Sequence, residues 1–157
     1  MQQKKERRRL MSSNLQNLYR QVIMDHYKNP RNKGLIKGEG YHNVHLKNPT
    51  CGDDVTIQIK TKDQVVSDIR HEGIGCAICC SSASVMSETL VDKTFDEAAQ
   101  ITHNFYEIVK GEEVKGDVEE MGDAFVYQGV SQFPARIKCA TIAWKAFEAA
   151  VAEIKNT

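Results

Sequence analysis

Tyr41-His42-Asn43-Val44-His45-Leu46-Lys47-Asn48-Pro49-Thr50-Cys51-Gly52-Asp53-Asp54-Val55-Thr56-Ile57-Gln58-Ile59-Lys60, followed by Val65 to Ile69 and then Gly73-Ile74-Gly75-Cys76, carries three short apolar runs separated by turn residues. Val44 and Leu46 alternate with His45, and Val55, Ile57 and Ile59 alternate with Thr56, Gln58 and Lys60. A period of two puts one side of each run against a core, so these segments read as strands with one buried face. From Cys76 the pattern turns small and helical through Ala83, Val85, Met86 and Leu90, and the glycines before it mark a tight strand-to-helix junction.

Helical patterns flank this block on both sides. Ser13 with Gln16 resembles a capping box, and Leu15, Leu18, Tyr19, Val22 and Ile23 recur at helical spacing until Asn29-Pro30 stops them. Asp96 to Val109 is a second helical segment with Ala98, Ile101, Phe105 and Ile108 on one face. Gly111 to Asp123 is acidic and reads as an exposed loop. Pro134 opens a last helix whose apolar stripe runs Ile137, Thr141, Trp144, Phe147, Val151 and Ile154. Strands clustered between helices predict an α+β fold, a small three-stranded antiparallel sheet with helices packed on one face.

The 157 residues are 41% hydrophobic, and 21 basic side chains balance 21 acidic ones, which fits one domain spanning residues 12–157 after a basic arm over residues 1–11. That arm has no interleaved aromatic residue and no amphipathic period, so nucleic acid is not expected as a partner. No run approaches the roughly 18 apolar residues of a membrane span, and the N-terminus lacks the apolar core of a secretory signal. A cytoplasmic protein without a membrane partner is expected.

Five cysteines, Cys51, Cys76, Cys79, Cys80 and Cys139, form an odd set, which argues for metal or sulfur chemistry rather than a disulfide framework. Cys51 sits in the turn between two strands, with Asp53 two residues on. Cys76 starts one helix and Cys139 lies near the start of another. Helix N-termini favour thiolates, so these thiols are expected to ionise easily. Three thiolates and one carboxylate make a plausible tetrahedral zinc set. The long spacings leave open the reading that these are ordinary buried cysteines. Cys76-Ala77-Ile78-Cys79 also has the C-x-x-C spacing of a thioredoxin-like motif, although no strands follow it, and Cys79 and Cys80 read better as small apolar residues of a helix. The five histidines form no ligand pair and read as surface or internally bonded residues.

Four ordered motifs carry a resemblance: Leu18-Tyr19-Arg20 leading to His26-Tyr27-Lys28-Asn29-Pro30-Arg31-Asn32; Asn48-Pro49-Thr50-Cys51-Gly52-Asp53; Gly73-Ile74-Gly75-Cys76; and Phe133-Pro134-Ala135-Arg136-Ile137-Lys138-Cys139. From Ser12 to the C-terminus the chain resembles the IscU/NifU-like iron-sulfur cluster assembly family, and within it the SufU branch. The resemblance implies the IscU/SufE-like α+β fold and a metal site at Cys51, Asp53, Cys76 and Cys139, with zinc as the metal in that branch. It implies a sulfurtransferase that accepts persulfide sulfur from a SufS-type cysteine desulfurase and passes it to downstream iron-sulfur assembly proteins. Cys51, on a turn and free to leave a metal, is the expected acceptor. Scaffold-type relatives carry a histidine before the third cysteine and a Leu-Pro-Pro-Val-Lys segment, where this chain has Lys138 and Phe133 to Lys138. The alternative is a scaffold that holds a transient [2Fe-2S] cluster on the same four residues.

Overall fold

The structure, a computed structural model, describes residues 16–49, 51–114, 116 and 118–156. The basic arm, Ser13, Leu15, Thr50, Lys115 and Asp117 lie outside the described residues. Residues 16–28 are helical (α1) and end at Asn29-Pro30, as the proline requires. Three strands follow, β1 (Tyr41–Asn48), β2 (Asp53–Lys62) and β3 (Val65–Ile74). They form one antiparallel sheet in the order β1-β2-β3. Helices α2 (Ala77–Leu90), α3 (Phe95–Val109) and α4 (Ile137–Lys155) come after the sheet. This is the expected α+β architecture.

The register explains how the sheet makes a core. Leu46 stands opposite Val55, Val44 opposite Ile57, and Ile59 opposite Ile69. Cross-strand partners share a face, so these side chains form one apolar surface, and Ile57, Ile59 and Ile69 are fully buried under the helices. α4 lies across β1 and β2, while α2 packs between β3 and α4. The opposite face is partly covered by the chain after α1: the Ile36 N–H donates to Gln58 Oε1 and Gln58 Nε2 donates back to the Ile36 carbonyl. Arg70 Nε donates to the Gly34 carbonyl on the same side.

Thr94 caps α3 with a complete capping box to Glu97, and Ala98, Ile101, Phe105 and Ile108 are all buried as their spacing predicts. Phe105 stacks on Trp144 of α4 with ring centroids 4.0 Å apart. On α1 the expected stripe is corrected: Ile23 is buried, but Leu18 is exposed and the remaining buried position on that face is His26. Its ring bonds Ser84 Oγ at 2.8 Å through Nδ1 and Asp123 Oδ2 at 2.9 Å through Nε2. The acidic segment is an irregular, largely exposed stretch as far as Val118 among the described residues, as expected, but 3-10 turns begin at Glu119 and run to Gln132, burying Met121 within it and Val126 and Tyr127 beyond it. Asp123, the last residue of the acidic segment, is the carboxylate that His26 bonds. Pro134–Arg136 form a separate 3-10 turn, so α4 begins at Ile137 and Cys139 stands in its first turn. Among the described residues no helix is long and apolar enough to cross a membrane.

Candidate metal centre

The turn from β1 into β2 places the first two site residues. The N–H groups of Cys51 and Gly52 both donate to the Asn48 carbonyl, at 3.3 and 2.9 Å, and Gly52 takes the left-handed conformation (φ +72°) that glycine adopts without a Cβ clash. β2 then starts at once, and Asp53 takes the next place in the inward row Ile59, Ile57, Val55. Alternation on the strand therefore turns a carboxylate into the core, where Asp53 is 1% exposed.

Cys76 and Cys139 arrive from the helices. Cys76 is the N-cap of α2, in extended conformation, with no side-chain cap hydrogen bond. Its N–H donates to Asp53 Oδ1 at 3.3 Å. Cys139 is fully buried on the first turn of α4. The ligand atoms of Cys51, Asp53 and Cys139 lie within 4.8 Å of one another. Cys76 stands at the edge of that group rather than inside it, with its thiol against that of Cys139. Cys79 is buried behind Cys76, and Cys80 is half-buried, its Sγ 3.7 Å from the Gly75 carbonyl oxygen. Both lie outside the group, as their apolar neighbours suggest.

The electrostatics of the group suit a cation. Asp53 Oδ2 is buried and has no hydrogen-bond partner among the described residues, a costly state for a carboxylate oxygen unless a positive charge compensates it. The Cys139 thiol is pushed well above the ordinary thiol range, first by burial and then by Asp53, Cys51 and Cys76 around it. This corrects the expectation of an easily ionised Cys139: the helix N-terminus is outweighed by desolvation and by neighbouring acids. Two thiols and an unpartnered carboxylate oxygen at this range, with a third thiol alongside, are the donor chemistry that zinc accepts.

Two further residues touch the site. The exposed Arg136 guanidinium sits against the Cys139 thiol, which holds its own pKa up. Tyr19 of α1 flanks Cys76; burial raises its hydroxyl first and the Cys76 charge adds to that. Neither was assigned a role from spacing, although Arg136 stands three residues before Cys139, one turn away at a helix start. His71 is buried with Nε2 on the Arg31 carbonyl, and desolvation lowers its pKa. It serves the fold, as does His26.

Comparison with known proteins adds to this geometry. The chain is 45% identical over 142 residues to the zinc-dependent sulfurtransferase SufU of Bacillus subtilis, covering 90% of this chain and 95% of that one. It is 38% identical over 144 residues to the iron-sulfur cluster assembly scaffold protein IscU of Streptococcus pyogenes, covering 92% of this chain and 89% of that one. The crystal structure of the N-terminal NifU-like protein of Brucella abortus superposes with a TM-score of 0.78, covering 87% of this chain and 93% of that one, and at 22% identity this likeness shows the fold. The family described as the NifU-like N terminal domain matches residues 18–140, a span that contains all three site cysteines and Asp53. On that match and on relatives of nearly equal length, the chain belongs to the NifU-like N-terminal domain family.

Proposed function

We propose that this chain is a cytoplasmic zinc-dependent sulfurtransferase of iron-sulfur cluster assembly, taking persulfide sulfur on Cys51 from a SufS-type cysteine desulfurase and passing it to downstream assembly proteins. The observation that carries this reading is the convergence of Cys51, Asp53 and Cys139 within 4.8 Å around a buried carboxylate oxygen that has no hydrogen-bond partner among the described residues. The 45% identity to a protein named as a zinc-dependent sulfurtransferase supports it. Cys51, Asp53, Cys76 and Cys139 are the residues that would hold zinc, with Cys76 closing the set from the helix side. Bound zinc keeps thiolate ligands deprotonated and takes no part in redox chemistry itself.

The chain's own residues divide the remaining work. Cys139 is fixed on α4 and Cys76 at the cap of α2, whereas Cys51 rides a turn beside Gly52, where a side chain would meet nothing within 4 Å. Cys51 is therefore the thiol with room to reach a second protein. Its thiolate attacks the outer sulfur of the donor persulfide; a sulfur–sulfur bond forms on Cys51, the donor's bond breaks, and the donor cysteine leaves as thiolate. Arg136, exposed at the rim, places a positive charge where that anionic sulfur arrives and departs.

A scaffold reading draws on the 38% identity to the IscU scaffold protein. Against it stands Lys138, exposed and immediately before Cys139, where the scaffold type carries histidine. Anaerobic purification followed by elemental analysis separates the two. A colourless protein with one zinc per chain is expected, and a brown protein with iron and sulfide would favour the scaffold. Full zinc content in a Cys76→Ala, Cys139→Ala double variant would overturn the proposed ligand set.

A further inference from the structure

Cys79 is a buried thiol that the proposed sulfur transfer leaves unused. It lies in the first turn of α2, three residues after the N-cap Cys76. Side chains at the N-cap and third positions crowd the same helix end: at the start of α3, Thr94 and Glu97 each reach the other's backbone N–H. The Cys79 thiol also faces the metal-site side of the helix. A Cβ on Gly75 would stand 3.2 Å from Cys79 Sγ and 2.5 Å from Asp53 Oδ1, so thiol and carboxylate border the same small space. Cys76 makes no side-chain cap bond, so its side chain turns from its contact with the Cys139 thiol toward Cys79 by rotation about its own Cα–Cβ bond, with the cap backbone left in place.

We propose that Cys76 and Cys79 are a site of oxidative modification, forming a reversible disulfide with a hydroperoxide as oxidant and thereby withdrawing Cys76 from the metal set. The withdrawal rests on the proposed ligand role of Cys76. Cys76 is half-buried and open to a small oxidant, and Cys79 is fully buried and held in reserve as the resolving thiol. The Cys76 thiolate attacks the hydroperoxide and its O–O bond breaks; a sulfenic acid forms on Cys76, and the hydroxide or alkoxide that leaves takes a proton from solvent to become water or an alcohol. The Cys79 thiol then attacks the sulfenic sulfur, the S–O bond breaks, and a second water leaves. Two thiols are oxidised to one disulfide and one peroxide is reduced, so the step balances.

Other pairings fit less well. Cys79 and Cys80 are consecutive, with Cα atoms about 3.8 Å apart, short of the roughly 4.4–6.8 Å a disulfide spans. Cys80 lines a cavity of about 430 Å³ together with Lys33 and Tyr27, and its Sγ contacts the Gly75 carbonyl. Cys139 lies against both Cys51 and Cys76, but a link to either would join two members of the proposed metal set, whereas Cys79 belongs to none of it and is left to resolve an oxidised Cys76.

The test is titration of the zinc-loaded full chain with hydrogen peroxide under anaerobic conditions, with zinc release followed by a chromogenic chelator. Non-reducing tryptic mapping with fragmentation reads the peptide from residue 71 to residue 93, which holds Cys76, Cys79 and Cys80. The expected result is that peptide lighter by two hydrogens, with zinc released in step and both changes reversed by dithiothreitol. Cys79→Ser and Cys79→Ala should each lose the link and the reversibility, while Cys80→Ser keeps both. A link from Cys139 to Cys51 or to Cys76, or an unchanged link in Cys79→Ser, would overturn the proposal. Formation of the Cys76–Cys79 link with zinc fully retained would overturn its coupling to the metal. Mapping the metal-free chain in parallel keeps the pair testable even if Cys51 proves not to accept sulfur.

Discussion

At Gly75 a single methyl group would stand 2.5 Å from Asp53 Oδ1 and 3.2 Å from Cys79 Sγ, so the missing side chain makes room for the site. Gly75→Ala must push the carboxylate away from the thiols or shift the cap of α2. We expect it to cost about 1–3 kcal/mol of stability and to lower zinc affinity. Gly38→Ala, whose Cβ would meet its nearest neighbour at 3.9 Å, should do neither. Chemical denaturation and zinc titration of the two variants check this. The places of the three cysteines and Asp53 on a turn and near two helix starts were legible in the sequence because turn and junction residues announce where chain direction changes; that they form one set came only from the resemblance. The burial of Asp53 follows from strand alternation once β2 is known to start there. Arg136 was not legible in its role, since an arginine before a helix looks like any surface charge until the thiols are placed beside it.

Helix α2 shows what pattern reading cannot give for an element. Its existence was clear, yet Ser81, Ser82, Ser84 and Ser87 are as buried as Val85 and Met86. Serines on a helix usually mark the wet side, but here each finds an internal partner because other elements pack on all sides of it. Ser81 Oγ bonds the Tyr127 hydroxyl at 2.6 Å. Ser84 Oγ receives the Arg31 N–H. Ser82 donates to the Ala140 carbonyl and accepts from Trp144 Nε1 at 3.0 Å, which joins α2 to α4 directly behind the cysteines. Ser82→Ala would leave a fully buried indole N–H without a partner, and we expect a loss of about 1–3 kcal/mol. Thermal unfolding of the metal-free chain measures it; an unchanged midpoint would show that the indole finds another acceptor. The Glu119–Gln132 turns were illegible for a related reason, because their acidic start masks the buried Met121 and Tyr127.

Over the whole molecule the site joins parts that are far apart in sequence: the β1–β2 turn, the cap of α2 and the first turn of α4. A cation held there binds the folded chain and not the unfolded one, so chelation must lower the melting temperature. With free zinc at roughly a thousand times Kd, linkage supplies about 4 kcal/mol, and each kcal/mol moves Tm by about 2–4 °C at this chain length. The core around Phe105, Trp144 and Tyr127 is fully buried and contributes no residue to the proposed metal set, so a folded apo state should persist. Identical melting curves with and without chelator would contradict a structural role for the site. The architecture was legible because alternation and helical spacing are long-range regularities; the approach of Cys139 to Cys51 was not, since nothing in the intervening chain encodes their distance. The central claim is that Cys51 carries the sulfur, and it is tested most directly by incubating the protein with a SufS-type desulfurase and cysteine, then mapping the added sulfur by intact mass and non-reducing peptide analysis. The expected result is one extra sulfur on Cys51, abolished in Cys51→Ala and retained in Cys79→Ser. An extra sulfur on Cys76 or Cys139 with Cys51 unmodified would contradict it.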